Sequence, residues 1–486
     1  MPASLALRGF GLLLLLALAI YLPALRGPFF WDDDELVYQN QDVVSPAGVM
    51  HVWWNTAASE YTPLATVSYW FEWGLWKRAT LGYHLDNVLL HAVNAFLVWL
   101  VLLRLKIPGA FLAAVLFLVH PVCVESVAWI SERRNVLSMA FYLLAILGYL
   151  RFQTEGRNRD YWLALALFGA ALLSKATVVI LPVTLLLIVW WVNGRVGRKD
   201  VLRMAPLFGL SLVAGALRIW FEFQRGMNAG TLPDSSFAGR AVAASQAVWF
   251  YLGEVFWPVH LSLIYPRLAG SPILAAIGAA GLAAALLVLF SKRSGWGRPY
   301  LLALCYFLLA IGPALGLLKM AYLQHADVSD HFAYMALIAP LALVAAGASR
   351  WGSTGRTLLA AACLVFAGLT LQRSWFFGHP EELWRLTIRQ NPPAWTAHEH
   401  LAIARYERAD IPGAIDGFQR SLELHPSNFR AWFNLGTMRH LQGRYPEAAA
   451  AYAQALALNP ALVQARERLE ACRRTMETVK QRQPER

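Results

Sequence analysis

FGLLLLLALAIYLPALRGPFFWDDDE, residues 10–35, decides how the rest of the chain is read. A Leu-rich helix runs almost directly into four carboxylates, Asp32, Asp33, Asp34 and Glu35, introduced by Phe29, Phe30 and Trp31. The apolar stretch at 5–25 is long enough to cross a bilayer and has Arg8 on its N-terminal side. No small-residue cleavage pattern follows it and many further apolar stretches do, so it is expected to stay as a first span. Carboxylates are costly in hydrocarbon, which puts the acidic cluster at or just outside a membrane face. Charged residues commonly flank spans, and on its own the cluster can be read as that and no more. Two chemical roles also suit it: a general base for a transfer reaction, or a divalent-cation site.

Composition agrees with a membrane protein. Of 486 residues, 58% are hydrophobic and 15% charged, where soluble domains have about 45–50% and about 25%. Mean hydropathy is +0.44. The net charge of +12 then reads as positive cytoplasmic loops, and no nucleic-acid-binding motif accompanies it. Cys123, Cys305, Cys363 and Cys472 are scattered without a CxxC, so neither a zinc site nor a dense disulfide framework is indicated.

The spacing predicts an all-α bundle of about 11 spans. After the first come a span that begins near Gly82-Tyr83-His84 and stretches near 107–121, 135–152, 160–174 and 176–193. Others lie near 203–222, 271–291, 299–319, 332–349 and 357–374. The apolar segment 241–258 carries Glu254 and ends in Trp257-Pro258, so it reads as a re-entrant or interface helix. Residues 26–83 form a long first loop whose many aromatics, Trp53, Trp54, Tyr61, Tyr69, Trp70, Trp73 and Trp76, suit helices lying in the membrane interface.

Charge placement sets an orientation. The pairs and runs at Arg104/Lys106, Arg151/Arg157/Arg159, Arg195/Arg198/Lys199/Arg203, Lys292/Arg293/Arg298 and Arg350/Arg356 fall on one side. That side is cytoplasmic by the positive-inside rule, and it holds the N-terminus. The acidic cluster and the C-terminal region are then extracytoplasmic.

The opposite face gathers the unusual residues. His84, Asn87, His91 and Asn94 share one face of the second span, with Asp86 near its entrance. His91 and Asn94 also suit an interhelical hydrogen-bond seam, while His84 and Asp86 are better site candidates. His120-Pro121 with Glu125 follows, then Ser131-Glu132-Arg133-Arg134-Asn135, Ser174-Lys175, Tyr265-Pro266-Arg267 and Asp327-Val328-Ser329-Asp330-His331. Arg133, Arg134, Lys175 and Arg267 run against the positive-inside trend. They suit an anionic ligand such as a lipid phosphate or pyrophosphate, with salt bridges inside the bundle as the alternative.

Beyond about residue 380 the composition turns soluble and a repeat appears. Pro426 and Pro460 are 34 residues apart, the tetratricopeptide period. Trp432, Leu435, Gly436, Gly443, Tyr445, Ala448, Tyr452 and Ala455 fill the unit before Pro460; His398, Leu401, Ala402, Ala414, Phe418 and Ser421 hold equivalent places before Pro426. The expected domains are therefore 1–375, membrane, and 376–486, a short α-solenoid. The solenoid has repeats at 395–428 and 429–462, a capping helix at 463–478 and a frayed tail at 480–486.

The order of these motifs resembles the GT-C type membrane glycosyltransferases, most closely the transmembrane and tetratricopeptide-repeat-containing proteins and their bacterial relatives. The residues that carry it are Trp31-Asp32-Asp33-Asp34, Tyr61-Thr62-Pro63-Leu64, Gly82-Tyr83-His84-Leu85-Asp86-Asn87 through His91, and His120-Pro121 to Glu125-Ser126-Val127-Ala128. Arg134-Asn135-Val136-Leu137-Ser138, Leu173-Ser174-Lys175 and Ser329-Asp330-His331-Phe332-Ala333-Tyr334-Met335 complete it, ahead of the repeats. The resemblance implies a GT-C-like fold and transfer of a sugar, mannose in the eukaryotic branch, from a polyprenyl-phosphate carrier to a protein outside the cytoplasm, in a bacterium at the periplasmic face. It implies a catalytic carboxylate among Asp32, Asp33 and Asp34. The leaving phosphate needs cations, for which Arg133, Arg134, Lys175, Arg267 and His331 are candidates. His84, Asp86, His120, Glu125 and Asp330 are further site candidates. Three aspartates are enough carboxylates for one Mg2+ or Mn2+, and the class includes metal-independent members. Acceptor proteins are expected to meet the repeats. Two other readings compete: a membrane scaffold that recruits envelope proteins without catalysis, and a transporter whose path follows the polar stripe of the second span.

Overall fold

The computed structural model describes residues 2–56, 58, 60–229, 236–268 and 270–482, with backbone alone at 225–229 and 479–482. Every regular element among them is helical. The chain divides into two compact units: Met1–Leu261 with Arg267–Pro380, and Ser262–Pro266 with Glu381–Arg486.

The first unit opens with α1 (Ala3–Tyr21), the loop helix α2 (Pro63–Trp76) and α3 (Thr80–Arg104). Next come α4 (Ala110–Leu118), α5 (Cys123–Ala128), α6 (Arg133–Glu155), α7 (Asn158–Ser174), α8 (Leu181–Asn193) and α9 (Arg198–Ala229). It closes with α10 (Phe237–Phe256), α11 (Pro272–Ser291), α12 (Gly297–Ile311), α13 (Ile338–Arg350) and α14 (Gly352–Gly378). Eight helices among the described residues are long and apolar enough to cross a membrane. The chain is thus a multi-pass membrane protein.

All eleven expected positions are helical, but α4, α7 and α13 hold 9, 17 and 13 residues. A full crossing needs about 20 residues at 1.5 Å each. The α4 case has a plain cause. Pro121 lacks an N–H and disfavours helical backbone at His120, so α4 stops at Leu118 and the chain restarts as buried α5. The expected interface segment 241–258 is α10, which is not among the eight candidates.

Packing is closest where side chains are small. A Cβ on Gly148 of α6 would meet the Ala164 methyl of α7 at 3.3 Å, and small residues of this kind let membrane helices approach. Loop helix α2 is two-faced: Ala65, Tyr69 and Glu72 are buried, while Phe71, Leu75 and Trp76 are exposed.

The polar stripe of α3 is a packing seam. His84, Asn87, His91 and Asn94 are all buried. His84 Nε2 meets the Gly27 carbonyl (3.0 Å), and Asn87 donates to that of Trp129 (3.2 Å). His91 contacts the Leu118 carbonyl (3.0 Å) and the Tyr334 hydroxyl (2.8 Å). Asn94 donates to the Val136 carbonyl (2.8 Å) and to Tyr334 (3.2 Å). The stripe thus ties α3 to backbone carbonyls of four other chain segments.

The second unit contains α15 (Pro380–Gln390), α16 (Trp395–Glu407), α17 (Ile411–Leu424), α18 (Phe429–Leu441), α19 (Tyr445–Leu458) and α20 (Val463–Arg482). Helices pair in order, as repeats do when each buries its apolar face on its neighbour. Phe418, Leu422, Ala431, Leu435 and Met438 form one core across both repeats. Asn428 caps α18 by accepting from Arg430 and Ala431 N–H, and its amide reaches Glu399 (2.8 Å). Within this unit Asn391 also donates to the Ile264 carbonyl (3.2 Å). Of the expected tail, 483–486 lie outside the described residues, and α20 continues to Arg482.

Candidate functional site

The three aspartates do not share a role. Trp31 adopts φ +53°, left-handed backbone that a bulky residue enters only at a steric penalty. Its ring stacks on buried Trp129, centroids 4.9 Å apart and 13° from parallel. That strained residue turns the aspartates in different directions.

Asp33 goes inward and is buried. One oxygen accepts from Ser131 N–H (2.8 Å) and from the Ser131 hydroxyl, the other from Phe30 N–H (3.1 Å). Burial pushes its carboxyl up to about 7, against the opposing pull of these donors. Asp33 therefore fastens the first loop to the segment before α6. Asp34 lies against the Tyr38 hydroxyl. Asp32 is half-buried, and its charge acts on the Arg134 guanidinium.

Arg134 belongs to an ion network. It donates to the Ser131 carbonyl (3.0 Å), Glu60 (2.5 Å) and Glu132 (2.9 Å). Glu132 also receives Lys175 (3.0 Å) and Asn135 (2.7 Å). Glu60 also pairs with Arg218 (3.1 Å), which pairs with Glu222 (3.2 Å). Glu222 in turn accepts from Ala321 N–H (2.5 Å).

Arg133 is separate and fully occupied. It binds Glu72 (2.7 Å), the Tyr83 carbonyl (2.8 Å) and Asn87. Burial pushes Glu72 up to about 8; Arg133 opposes the shift and Asp86, beside it, adds to it. Arg133 thus locks α2 onto α3 and α6.

A second network lies across Asn135, which donates to the His331 carbonyl (3.0 Å). His331 Nδ1 and the Ser329 hydroxyl both meet Glu125 at 2.6 Å. Arg373 binds Asp330 (2.5 Å) and lies 3.8 Å from Glu125. His120 stands apart, with Nε2 on the Val255 carbonyl of α10 (3.1 Å). Arg267 pairs with Asp327 (2.9 Å), half-exposed, and shares no partner with the Arg134 network.

The candidates thus divide. Arg134 and Lys175 come together on Glu132, with the charge of Asp32 acting on Arg134, as do Glu125, Asp330 and His331. Asp33, Arg133 and His84 are fastened into the fold. Sequence reasoning missed Glu60, Glu72, Arg218 and Arg373. Arg218 and Glu222 stand four apart inside an otherwise apolar stretch, and charged residues there are a functional signal in themselves. Both Asp33 oxygens accept hydrogen bonds, from Ser131 and from Phe30 N–H. Among the described residues no three His, Cys, Asp or Glu side chains converge on a metal position.

A family model described as dolichyl-phosphate-mannose-protein mannosyltransferase matches residues 70–220, and a tetratricopeptide-repeat model matches 385–462. The first match holds Glu72, Arg133, Arg134, Lys175 and Arg218 but not Asp32. The chain is 33% identical over 177 residues to Protein O-mannosyl-transferase Tmtc1 of Drosophila melanogaster, covering 34% of this chain and 20% of that protein. It is 31% identical over 157 residues to Protein O-mannosyl-transferase F38B6.6 of Caenorhabditis elegans, with 29% and 23% covered. It is 31% identical over 160 residues to Protein O-mannosyl-transferase TMTC2 of Mus musculus, with 30% and 19% covered. The matched stretch spans about a fifth of the length of these relatives. The resemblance read from the motifs therefore stands: the chain is similar to the transmembrane, tetratricopeptide-repeat-containing O-mannosyl-transferases in its membrane part and carries repeats at its C-terminal end.

Proposed function

We propose that this chain is a GT-C type membrane glycosyltransferase that moves a sugar from a polyprenyl-phosphate carrier to a Ser/Thr hydroxyl of a protein, on the extracytoplasmic face of the membrane. The observation that carries the reading is Asp32: a half-exposed carboxylate whose charge acts on Arg134, itself in an ion network with Lys175 and Arg218. Asp32 takes the proton of the acceptor hydroxyl. The oxygen forms its bond to the sugar C1, the C1–O bond to phosphate breaks, and the electron pair leaves on the phosphate. The Arg134–Lys175 network then faces the charge that develops on the leaving group. Asp33 and Ser131 hold the loop that presents Asp32. The C-terminal repeats bring the acceptor protein to the same face.

The transporter reading loses its support, since the stripe it needs is buried and bonded to protein groups. Purified protein is incubated with a panel of radiolabelled polyprenyl-phosphate sugars and envelope proteins as acceptors. Label transfer that disappears in Asp32→Asn supports the reading and names the sugar. Absence of transfer from every donor, with a folded protein that still captures envelope proteins, returns the chain to the scaffold class.

A further inference from the structure

An open groove of about 500 Å³ lies between the first loop and α9, walled by Trp53, Trp54, Tyr61, Leu217, Trp220 and Phe221. Its volume falls within the range of small-molecule pockets, about 300–1,000 Å³. Tyr61 and Phe221 stack across it, centroids 5.5 Å apart and 19° from parallel. Each stacking residue adjoins an ion-pair partner. Glu60 precedes Tyr61, Arg218 lies one turn before Phe221, and the two pair at 3.1 Å. An ion pair that includes an arginine thus adjoins, along the chain, two of the residues that wall the groove.

Arg218 differs from the neighbouring arginines. Arg133 and Arg134 are under 10% exposed with their donors spent on carboxylates and carbonyls, whereas the Arg218 side chain is 34% exposed. Its two partners also have other donors. Glu60 keeps Arg134 at 2.5 Å and Glu222 keeps Ala321 N–H at 2.5 Å. An arriving anion can therefore take Arg218 without stranding a buried carboxylate, an exchange that Arg133 and Glu72 cannot make. Helix α9 also carries an exposed apolar surface: Leu212, Val213, Ile219 and Phe223 are all more than half exposed. On a candidate membrane helix this is a lipid-facing side.

We infer that the groove holds the first isoprene units of a polyprenyl phosphate and that Arg218 binds its phosphate, which rests on the donor class proposed above. The occupant follows from the chemistry: a phosphate monoester joined to a flexible, unsaturated hydrocarbon meets an exchangeable guanidinium joined to aromatic walls. The network then leads from Arg218 through Glu60 and Arg134 towards Asp32, so the phosphate end of the carrier lies on the carboxylate's side.

The test uses the full chain in lipid nanodiscs and farnesyl phosphate with a benzophenone at its far end. Expected labelling falls on peptides containing 53–56 and 217–221. Unlabelled farnesyl phosphate displaces it, while farnesol and inorganic phosphate do not at equal concentration. Arg218→Gln weakens binding about tenfold or more, the usual worth of a charge-assisted contact. Trp54→Ala, at an 82% exposed position whose loss cannot unfold the chain, weakens it several-fold. Labelling elsewhere, equal competition by farnesol, or full displacement by raising the nanodisc content of phosphatidylglycerol would overturn the inference. Binding without any sugar transfer leaves the groove standing and removes the transferase. Sugar transfer with unchanged affinity in both variants removes the groove alone.

Discussion

Replacing Asp33 and Asp32 in turn by Asn separates two roles that three identical residues conceal. An Asn at 33 can turn its oxygen to the two Ser131 donors, but its NH2 then faces Phe30 N–H, 3.1 Å from the present oxygen. One buried donor is left without an acceptor, which costs about 1–3 kcal/mol. A pH dependence accompanies it. The carboxyl sits near 7 in the fold against an ordinary value of 3.8, so folding favours its protonated form. The stability Asp33 contributes is complete below about pH 4 and is lost as pH rises through about 7, a swing of about 4 kcal/mol at 1.36 kcal/mol per pKa unit. Asn has no such dependence. Asp33→Asn should therefore be clearly less stable than wild type near pH 5 and approach it near pH 8, in thermal unfolding of nanodisc-reconstituted protein. Its folded fraction should still transfer sugar. Asp32→Asn should unfold like wild type at every pH and lose about 10²–10⁴ of the transfer rate, the usual worth of a general base. An Asp33→Asn protein with wild-type stability and no transfer, beside an active Asp32→Asn protein, would refute the assignment.

Three more perturbations test the fold around the site. Glu72, pushed up to about 8, favours the protonated form in the fold, so its contribution is complete below its unfolded value and lost as pH rises through 8. Protection factors of 63–76, corrected for the intrinsic pH dependence of exchange, should fall between about pH 5 and 8 in wild type and stay level in Glu72→Gln. Tyr334→Phe removes the hydroxyl that meets His91 and Asn94 at 2.8 and 3.2 Å. It should destabilise the membrane unit by about 1–3 kcal/mol, read as an earlier thermal transition. A Cβ at Gly417 would come within 2.7 Å of the Ala402 methyl. Gly417→Val should cost about 1–3 kcal/mol by overpacking and expose 395–458 to limited proteolysis.

Local regularities were legible in the sequence. The 34-residue period survives because close contacts constrain a repeat wherever it occurs, such as Gly436 under the Tyr452 ring, where a Cβ would sit 2.9 Å away. The apolar stretches were legible as helices, since hydropathy and helix length share one cause. Helix ends were less so, because Pro121 shortens α4 in a way that a hydropathy window averages out. The one-sided stripe of α3 was visible, but its meaning was not. Its partners are carbonyls at 27, 118, 129 and 136 and the Tyr334 hydroxyl, as far as 243 residues away. The aspartates could not be told apart for the same reason. What distinguishes Asp33 is Ser131, 98 residues on, and the φ of Trp31.

The cations that run against the positive-inside trend have a different meaning once their partners are named. Arg134, Lys175 and Arg218 face Glu60, Glu132 and Glu222, and Arg373 faces Asp330. A matched ion pair carries no net charge into the membrane face, so these residues need no ligand to explain their position. A neutral network also binds an anion poorly unless one pair opens at little cost. Opening the Arg133 pair strands Glu72 in a buried place. Opening the Arg218 pairs leaves Glu60 with Arg134 and Glu222 with Ala321 N–H. A phosphate arriving at this end is therefore steered to Arg218, although positive charge is as dense at Arg133 and Arg134.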